Sequence, residues 1–95
     1  MAKYEVKGNK GTYVINGIDS SSEIKRGGST IGYIKKFVTN KYEVKDKSSQ
    51  IGMLHIQGSK LSLQTSSNKE LRKIDCKGDI YRDDILKEVM TTYFE

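Results

Sequence analysis

Apolar and polar residues alternate along most of the chain with a period of two. This period is typical of a β-strand that has one face on a core and the other in solvent. Lysine, glutamate, serine and glutamine occupy the alternate positions, so each such strand should have one polar face. The alternation is clearest at Tyr4 and Val6, at Tyr42 and Val44, and at Leu61 and Leu63.

Two segments, residues 30–38 and 50–57, carry apolar residues at both alternate positions. In the first segment, Ile31 and Tyr33 fall on one side of an extended chain and Ile34 falls on the other. Strands that are apolar on both faces are typical of positions covered on both sides. We therefore expect these two segments at the centre of the sheet or beneath another element.

Short clusters of glycine, asparagine and serine separate the apolar segments. Asn16-Gly17 is the strongest hairpin signal, because both residue types tolerate the positive φ of a type I′ turn. The breaks divide residues 1–78 into seven or eight short strands in succession, which predicts an antiparallel meander. The other breaks fall at Gly8-Asn9, Gly27-Gly28, Thr39-Asn40, residues 47–49, Gly58-Ser59 and Lys77-Gly78.

A weak internal repeat with a period of twenty residues runs through this region. It indicates one hairpin unit used three times, although any regular meander would show a similar spacing. The matching positions are Ile31, Ile51 and Leu71, then Ile34, Leu54 and Ile74, with Gly32 matched by Gly52.

The period changes at the C-terminal end, from Asp83 to Glu95, where apolar residues fall into one stripe along a helix. Asp83 is predicted as the N-cap, and Asp84 lies in the first turn, where the helix dipole favours a carboxylate. An isolated helix of this length is marginal in water, so the stripe should pack on the sheet or on a second copy of the chain. The stripe comprises Ile85, Leu86, Val89, Met90, Tyr93 and Phe94.

Together the elements predict a single, mainly β domain that spans residues 1–95. Residues 1–78 should form the antiparallel meander, rolled into a barrel or folded into a sandwich, and residues 79–95 should carry the C-terminal amphipathic helix. Chains divide into two domains only at roughly twice this length or more. No apolar run approaches the roughly 20 residues that a bilayer requires, so no membrane insertion is expected. The first residues lack the apolar stretch of a signal peptide, which favours a cytoplasmic location.

Residues that could carry catalysis or hold a metal are few. The chain has one cysteine, Cys76, and one histidine, His55, which are too few for the usual zinc sites or for an internal disulfide. Both fall on predicted strands, where a buried thiol and a structural histidine are the usual roles. Acidic residues gather only near the start of the helix, which they stabilise. We therefore expect no enzymatic activity, no metal and no cofactor.

Charge is distributed unevenly between the two parts of the chain. Residues 1–78 hold fifteen basic and seven acidic side chains, a net charge of +8, whereas residues 79–95 have a net charge of −3. A positive sheet attracts polyanions, which makes nucleic acid a candidate partner. Aromatic and basic side chains alternate in one segment, as single-stranded nucleic acid binding requires. The candidate residues are Tyr33, Lys35, Lys36, Phe37 and Lys41, with a second basic stretch at Arg72, Lys73 and Lys77.

The same segment also has a purely structural interpretation. Tyr33 and Phe37 share the same parity on a strand, so both could point into the core while lysines cover the surface. Our leading hypothesis is therefore a non-catalytic interaction module that binds a protein partner, or itself, through a strand edge or the helix. Binding of nucleic acid or another polyanion through the basic sheet is the alternative, and a small enzyme ranks last.

Overall fold

The computed structural model describes residues 2–17 and 20–95, and it confirms the mainly β architecture. Eight strands form one antiparallel sheet in which each strand pairs with the next along the chain, and one helix follows. The sheet curls into a half-barrel. The elements are β1 (Ala2–Gly8), β2 (Gly11–Gly17), β3 (Ser21–Arg26), β4 (Ser29–Val38), β5 (Lys41–Asp46), β6 (Gln50–Gln57), β7 (Lys60–Gln64), β8 (Glu70–Asp75) and α1 (Asp83–Tyr93).

The predicted turn at Asn16-Gly17 is wrong, because both residues belong to β2. Asn16 pairs with Lys3 on one side and with Glu23 on the other, and Gly17 pairs with Ala2. Continued pairing with both neighbouring strands outweighs the local turn preference of this dipeptide. The connection to β3 comprises residues 18–20, of which 18 and 19 lie outside the described residues.

Three bulges in the sheet recur at an interval of twenty residues. Ile31 in β4 is an extra residue between Thr30, which pairs with Lys25, and Gly32, which pairs with Ile24. A bulge bends its strand and increases the local twist. The spacing seen in the sequence thus coincides with three hairpins, β3–β4, β5–β6 and β7–β8, that are each bent at the same place. The other two inserted residues are Ile51 in β6 and Leu71 in β8.

The core lies between the concave face of the sheet and α1. Every strand from β2 to β7 contributes at least one fully buried apolar side chain, and the helix contributes four. Burial of one such side chain stabilises the fold by about 1.5–3 kcal/mol. The largest strand contributions come from Tyr13, Ile15, Ile24, Ile34, Leu54, Leu61 and Leu63, and the helix residues are Ile85, Leu86, Val89 and Met90.

The start of α1 differs from the prediction, because Arg82 rather than Asp83 is the N-cap residue. Arg82 has an extended backbone, and its side chain makes no capping hydrogen bond. The Arg82 guanidinium instead donates to the Cys76 carbonyl at 3.2 Å and contacts the Asp84 carboxylate at 2.9 Å. These contacts tie the N-terminal end of the helix to the chain that precedes it, and both aspartates remain in the first turn.

The other end of α1 fits closely against two glycines of the sheet. A Cβ atom on Gly52 would lie 2.7 Å from Cζ of Tyr93, and a Cβ atom on Gly32 would lie 2.9 Å from Cζ of Phe94. Neither distance allows a side chain. The two glycines, which match in the twenty-residue repeat, therefore let both aromatic rings approach the sheet backbone.

Candidate interaction surface

The tip of the β4–β5 hairpin exposes two adjacent apolar side chains. Phe37 is 59% exposed and Val38 is 50% exposed. Phe37 lies where the pairing of β4 with β5 is interrupted by a bulge, between Lys36 and Val38. We refer to residues 35–41 as the basic hairpin. Phe37 and Val38 are exposed because they lie at the bulge and next to the turn, past the part of β4 that covers the core.

Three lysines flank this pair in the sequence or across the hairpin. Lys35 and Lys36 precede it on β4 and are exposed, and Lys41 begins β5 opposite Val38. In the part of the chain that the structure describes, the ion pairs involve other basic residues, although Glu43 is the strand partner of Lys35. The basic hairpin therefore combines an apolar centre with three positive charges.

Tyr33 does not join the tip. It lies nearer the start of β4 and is half-buried. Its partners on the neighbouring strands are Glu23 and Lys45. The sequence pattern suggested that Tyr33 and Phe37 could share one environment. The bulge breaks the alternation between them, so the two rings have different surroundings.

The second predicted basic stretch does not merge with the first. Arg72 pairs with Glu88 of the helix, and Nζ of Lys73 lies 3.9 Å from Oε1 of Glu70. Three strands, β5 to β7, separate β8 from β4 in the sheet. Lys77 is exposed in the connection between β8 and α1. The two predicted basic stretches thus lie on separate parts of the sheet, and the charges of Arg72 and Lys73 are partly neutralised.

A cluster of tyrosines lies next to the basic hairpin. Tyr42 is the strand partner of Lys36, and its ring meets that of Tyr81 edge-on, with 6.2 Å between centroids. The ring of Tyr4 lies 5.8 Å from that of Tyr81. Burial raises the pKa of both Tyr42 and Tyr81, so their hydroxyls remain protonated at neutral pH and can donate hydrogen bonds.

Sequence reasoning missed Tyr4 and Tyr81 as neighbours of the basic hairpin. They come from the two ends of the chain and meet only because β1 and the connection to α1 converge on the same end of the half-barrel. The hydroxyl of Tyr81 lies 2.8 Å from that of Ser22, which is fully buried. From the sequence, the alternation at Tyr4 and Val6 indicated only that Tyr4 faces inward. It did not indicate which residue Tyr4 would contact.

The predicted helix stripe lies against the sheet. Ile85, Leu86, Val89 and Met90 are buried in the core, and Tyr93 and Phe94 are half-buried against it. The stripe therefore faces the interior of its own chain along the whole length of α1.

The two residues considered for nucleophilic chemistry have different environments. Cys76 is buried in the core, whereas the Nδ1 atom of His55 lies 3.2 Å from the Gln57 amide nitrogen in an exposed contact on β6. Among residues 2–17 and 20–95, no group of three or more histidine, cysteine, aspartate or glutamate side chains is placed to hold a metal ion. The helix described here is also too short and too polar to cross a bilayer.

Comparison of the chain with protein-family models, with curated protein sequences and with solved structures gave no match.

Proposed function

We propose that this domain is a small, non-catalytic, cytoplasmic interaction module that binds a protein partner through the basic hairpin. The observation that carries the proposal is the exposed pair of Phe37 and Val38 on a hairpin that also carries Lys35, Lys36 and Lys41. Among the described residues, the exposed large apolar side chains are these two and Leu71, and only these two are adjacent. Protein interfaces are organised in this way, with an apolar centre and a polar rim.

The charges specify the chemistry of the partner. The side chains of Lys35, Lys36 and Lys41 would face carboxylates placed around one apolar or aromatic side chain of the partner. Such complementarity accelerates association and rejects basic competitors. The partner surface is therefore an acidic segment with an apolar anchor that packs on Phe37.

Self-association through the helix has less support. The apolar residues of α1 are already buried in their own chain, so a second copy would have to displace them. Strand edges offer little more, since β1 lies close to α1 and β8 has several exposed charges along its length. Charged side chains on an edge strand discourage pairing with another strand.

Two features support the non-catalytic and cytoplasmic parts of the proposal. Cys76 lies in the core and His55 is half-buried on β6 beside Gln57, and among the described residues no hydrogen bond joins the thiol to the imidazole, as nucleophilic catalysis by this pair would require. A buried, unpaired cysteine also fits a reducing compartment.

Binding of nucleic acid is a second candidate, and one observation favours it. Phe37 is exposed beside Lys35 and Lys36, with Tyr42 next to Lys36 on the adjoining strand. Single-stranded nucleic acid needs an aromatic ring for base stacking and cations for the phosphates. This candidate would use the hairpin and not the whole sheet surface.

Selection from a displayed library of random peptides tests the leading proposal. The wild-type domain is the bait, and the Phe37→Ser/Val38→Ser variant is used for counter-selection. We expect the enriched peptides to be acidic with one apolar or aromatic residue, and to bind the variant at least about tenfold more weakly. Leu71→Ser, which removes an equally exposed apolar side chain on β8, should bind as the wild type does. Peptides that bind the hairpin variant equally well would overturn the proposal.

A salt titration separates the second candidate from the first. Binding of a fluorescent oligothymidylate should weaken steeply with salt if phosphates contact the lysines, and it should weaken further in Lys35→Glu/Lys36→Glu. Lys47→Glu/Lys69→Glu, at two exposed positions in other turns, is the charge-matched control. Absence of oligothymidylate binding at low salt would leave the peptide partner as the function of the hairpin.

A further inference from the structure

One row of side chains on the convex face of the sheet continues from the basic hairpin to β8. Cross-strand pairing places one residue of each strand from β4 to β8 directly beside the next. On β5 to β8, the residues next to them along the strand pack in or against the core, so the row itself faces away from the core. We call it the convex row, and it comprises Val38, Lys41, His55, Ser62 and Lys73.

The convex row carries only positive charge, whereas the two rows that flank it on this face are mixed. Its charged residues are Lys41 and Lys73. The flanking row on one side contains Glu43 and Glu70, and the row on the other side ends at Asp75. Carboxylates repel an acidic partner and lysines attract it. An acidic segment on this face is therefore favoured along the convex row over the rows beside it.

Two side chains of the row can bind a partner without breaking a strong contact. The Gln57 amide nitrogen donates to Nδ1 of His55 at 3.2 Å, so Nε2 carries the hydrogen of the neutral imidazole and can donate it. Nζ of Lys73 lies 3.9 Å from Oε1 of Glu70, and both side chains are about half exposed. An exposed ion pair of this kind contributes little, so a partner carboxylate can replace Glu70. Ser62, between them, is buried, and its hydroxyl donates to Glu70 at 2.6 Å.

The spacing of the row fits an extended segment. Neighbouring strands lie about 4.8 Å apart, so Lys41 on β5 and Lys73 on β8 are separated by roughly 14 Å. An extended chain advances about 3.4 Å per residue and presents every second side chain to the same surface. Side chains four positions apart on such a chain therefore face the same way, about 14 Å from each other.

We propose that the acidic segment bound by the basic hairpin lies extended along the convex row. Its apolar anchor packs on Phe37 and Val38, and two carboxylates, four positions apart, face Lys41 and Lys73. The inference rests on the proposed function and deepens it, because it specifies the sequence pattern of the partner. The observations that carry it are the cross-strand register, the charge of this row against its neighbours, and the match between its spacing and that of an extended chain.

Two peptides of equal composition and charge test the spacing. Acetyl-Phe-Ser-Glu-Ser-Ser-Ser-Glu-amide places its carboxylates four positions apart, and acetyl-Phe-Ser-Glu-Ser-Ser-Glu-Ser-amide places them three apart. Both are also made in reverse order, because a segment can follow the row in either direction. Each is titrated at low salt into the ¹⁵N-labelled domain. In one direction, we expect the four-position peptide to bind about two- to fivefold more tightly than its three-position counterpart, with saturable shifts at the backbone amides of Val38, Lys41, His55 and Lys73.

Charge variants locate the far end of the bound segment. Lys73→Gln should weaken binding of the four-position peptide about two- to fivefold, whereas Lys7→Gln, at an exposed position on β1, should leave it unchanged. Glu70→Gln releases Lys73 and keeps an acceptor for Ser62, so it should tighten binding about twofold or more. Glu5→Gln, also exposed on β1, is its matched control. Equal affinity of the wild type and Lys73→Gln for the four-position peptide would refute the proposal.

The remaining outcomes distinguish the convex row from the basic hairpin. Shifts confined to residues 35–41, with equal affinity for both spacings, would overturn the convex row and leave the hairpin as the binding site. Absence of saturable shifts with all four peptides would also overturn the extended arrangement, and the peptide selection would still decide the proposal for the hairpin. Oligothymidylate that shifts the same four amides and binds more tightly than every peptide would assign the row to nucleic acid and contradict an acidic partner.

Discussion

Tyr93 packs against Gly52 so closely that its ring occupies the space of a side chain at that position, and its hydroxyl donates to the Gln64 carbonyl at 2.7 Å. The Gln64 carbonyl oxygen itself would lie 2.9 Å from a Cβ atom on Gly52. Backbone and ring thus enclose the glycine from two directions. This contact fixes the end of the helix on the sheet.

Gly52→Ala should therefore destabilise the domain by about 1–3 kcal/mol, because the added methyl group overpacks the site. Urea unfolding measures the loss. Gly58→Ala is the control, since its surroundings are open and only its φ of +64° opposes a side chain. The cost of Gly52→Ala should shrink in a Tyr93→Ala background, where the ring is absent. Equal costs in both backgrounds would show that the ring is not the obstacle.

Alkaline pH should weaken the same contact. Burial raises the pKa of Tyr93 from 10.0 to about 12, so the folded state favours the neutral phenol. Its contribution to stability is complete below pH 10 and disappears as the pH rises towards about 12. At neutral pH, Tyr93→Phe should cost about 1–3 kcal/mol because the Gln64 carbonyl loses this donor.

The measurement is the free energy of unfolding of both proteins as a function of pH. The wild type should lose stability more steeply than Tyr93→Phe above pH 10, and the difference between them should narrow. The other tyrosines are common to both proteins and cancel in the comparison. Parallel pH curves would contradict the assignment.

The buried hydroxyl of Ser22 should depend on Tyr81. Tyr81→Phe leaves this hydroxyl without its partner at 2.8 Å, at an expected cost of about 1–3 kcal/mol. Ser22→Ala removes both the hydroxyl and its requirement for a partner. The double variant should therefore be less destabilised than the sum of the single variants, as measured by thermal or urea unfolding. Strict additivity would mean that the two hydroxyls do not interact.

Truncation of two apolar residues of β4 should change the free energy of unfolding by very different amounts. Ile34 is fully buried, and Ile34→Ala should cost about 2–5 kcal/mol. Phe37 is mostly exposed, and Phe37→Ser should change the free energy of unfolding by about 0.5 kcal/mol or less. Chemical denaturation of the two variants makes the comparison. A large loss in Phe37→Ser would mean that this ring supports the fold and is not free for a partner.

Much of the fold could be predicted because the local pattern and the final environment agree. The alternation at Tyr42 and Val44 matches inward-facing positions on β5, and the stripe from Ile85 to Met90 matches the buried side of α1. These elements are short-range, so their periodicity is sufficient. The prediction at Asn16-Gly17 failed because pairing with two neighbouring strands outweighed a dipeptide preference.

The candidate sites were harder to predict, because they depend on irregularities and on distant contacts. The basic hairpin could be predicted from its composition. The exposure of Phe37 could not, because it depends on a bulge that no residue type predicts. The positions of Tyr93 on Gly52 and of Phe94 on Gly32 join residues that are far apart in the chain. Such positions are set by the curl of the whole sheet, and a period of two carries no information about curl.

The inserted residues Ile31, Ile51 and Leu71 bend their strands. They do not change which residues of each strand face the core. If Ile31 were removed, Thr30 would be followed directly by Gly32, and the two would alternate as in a regular strand. The same holds for the residues on either side of Ile51 and Leu71. No strand would be inverted, since the pairs on both sides of the bulge already share the correct faces. The bend and the facing of each strand therefore depend on different residues. Deleting an inserted residue would change the bend and keep the faces of the strand, although at Ile31 and Ile51 it would also remove a side chain that packs on the core.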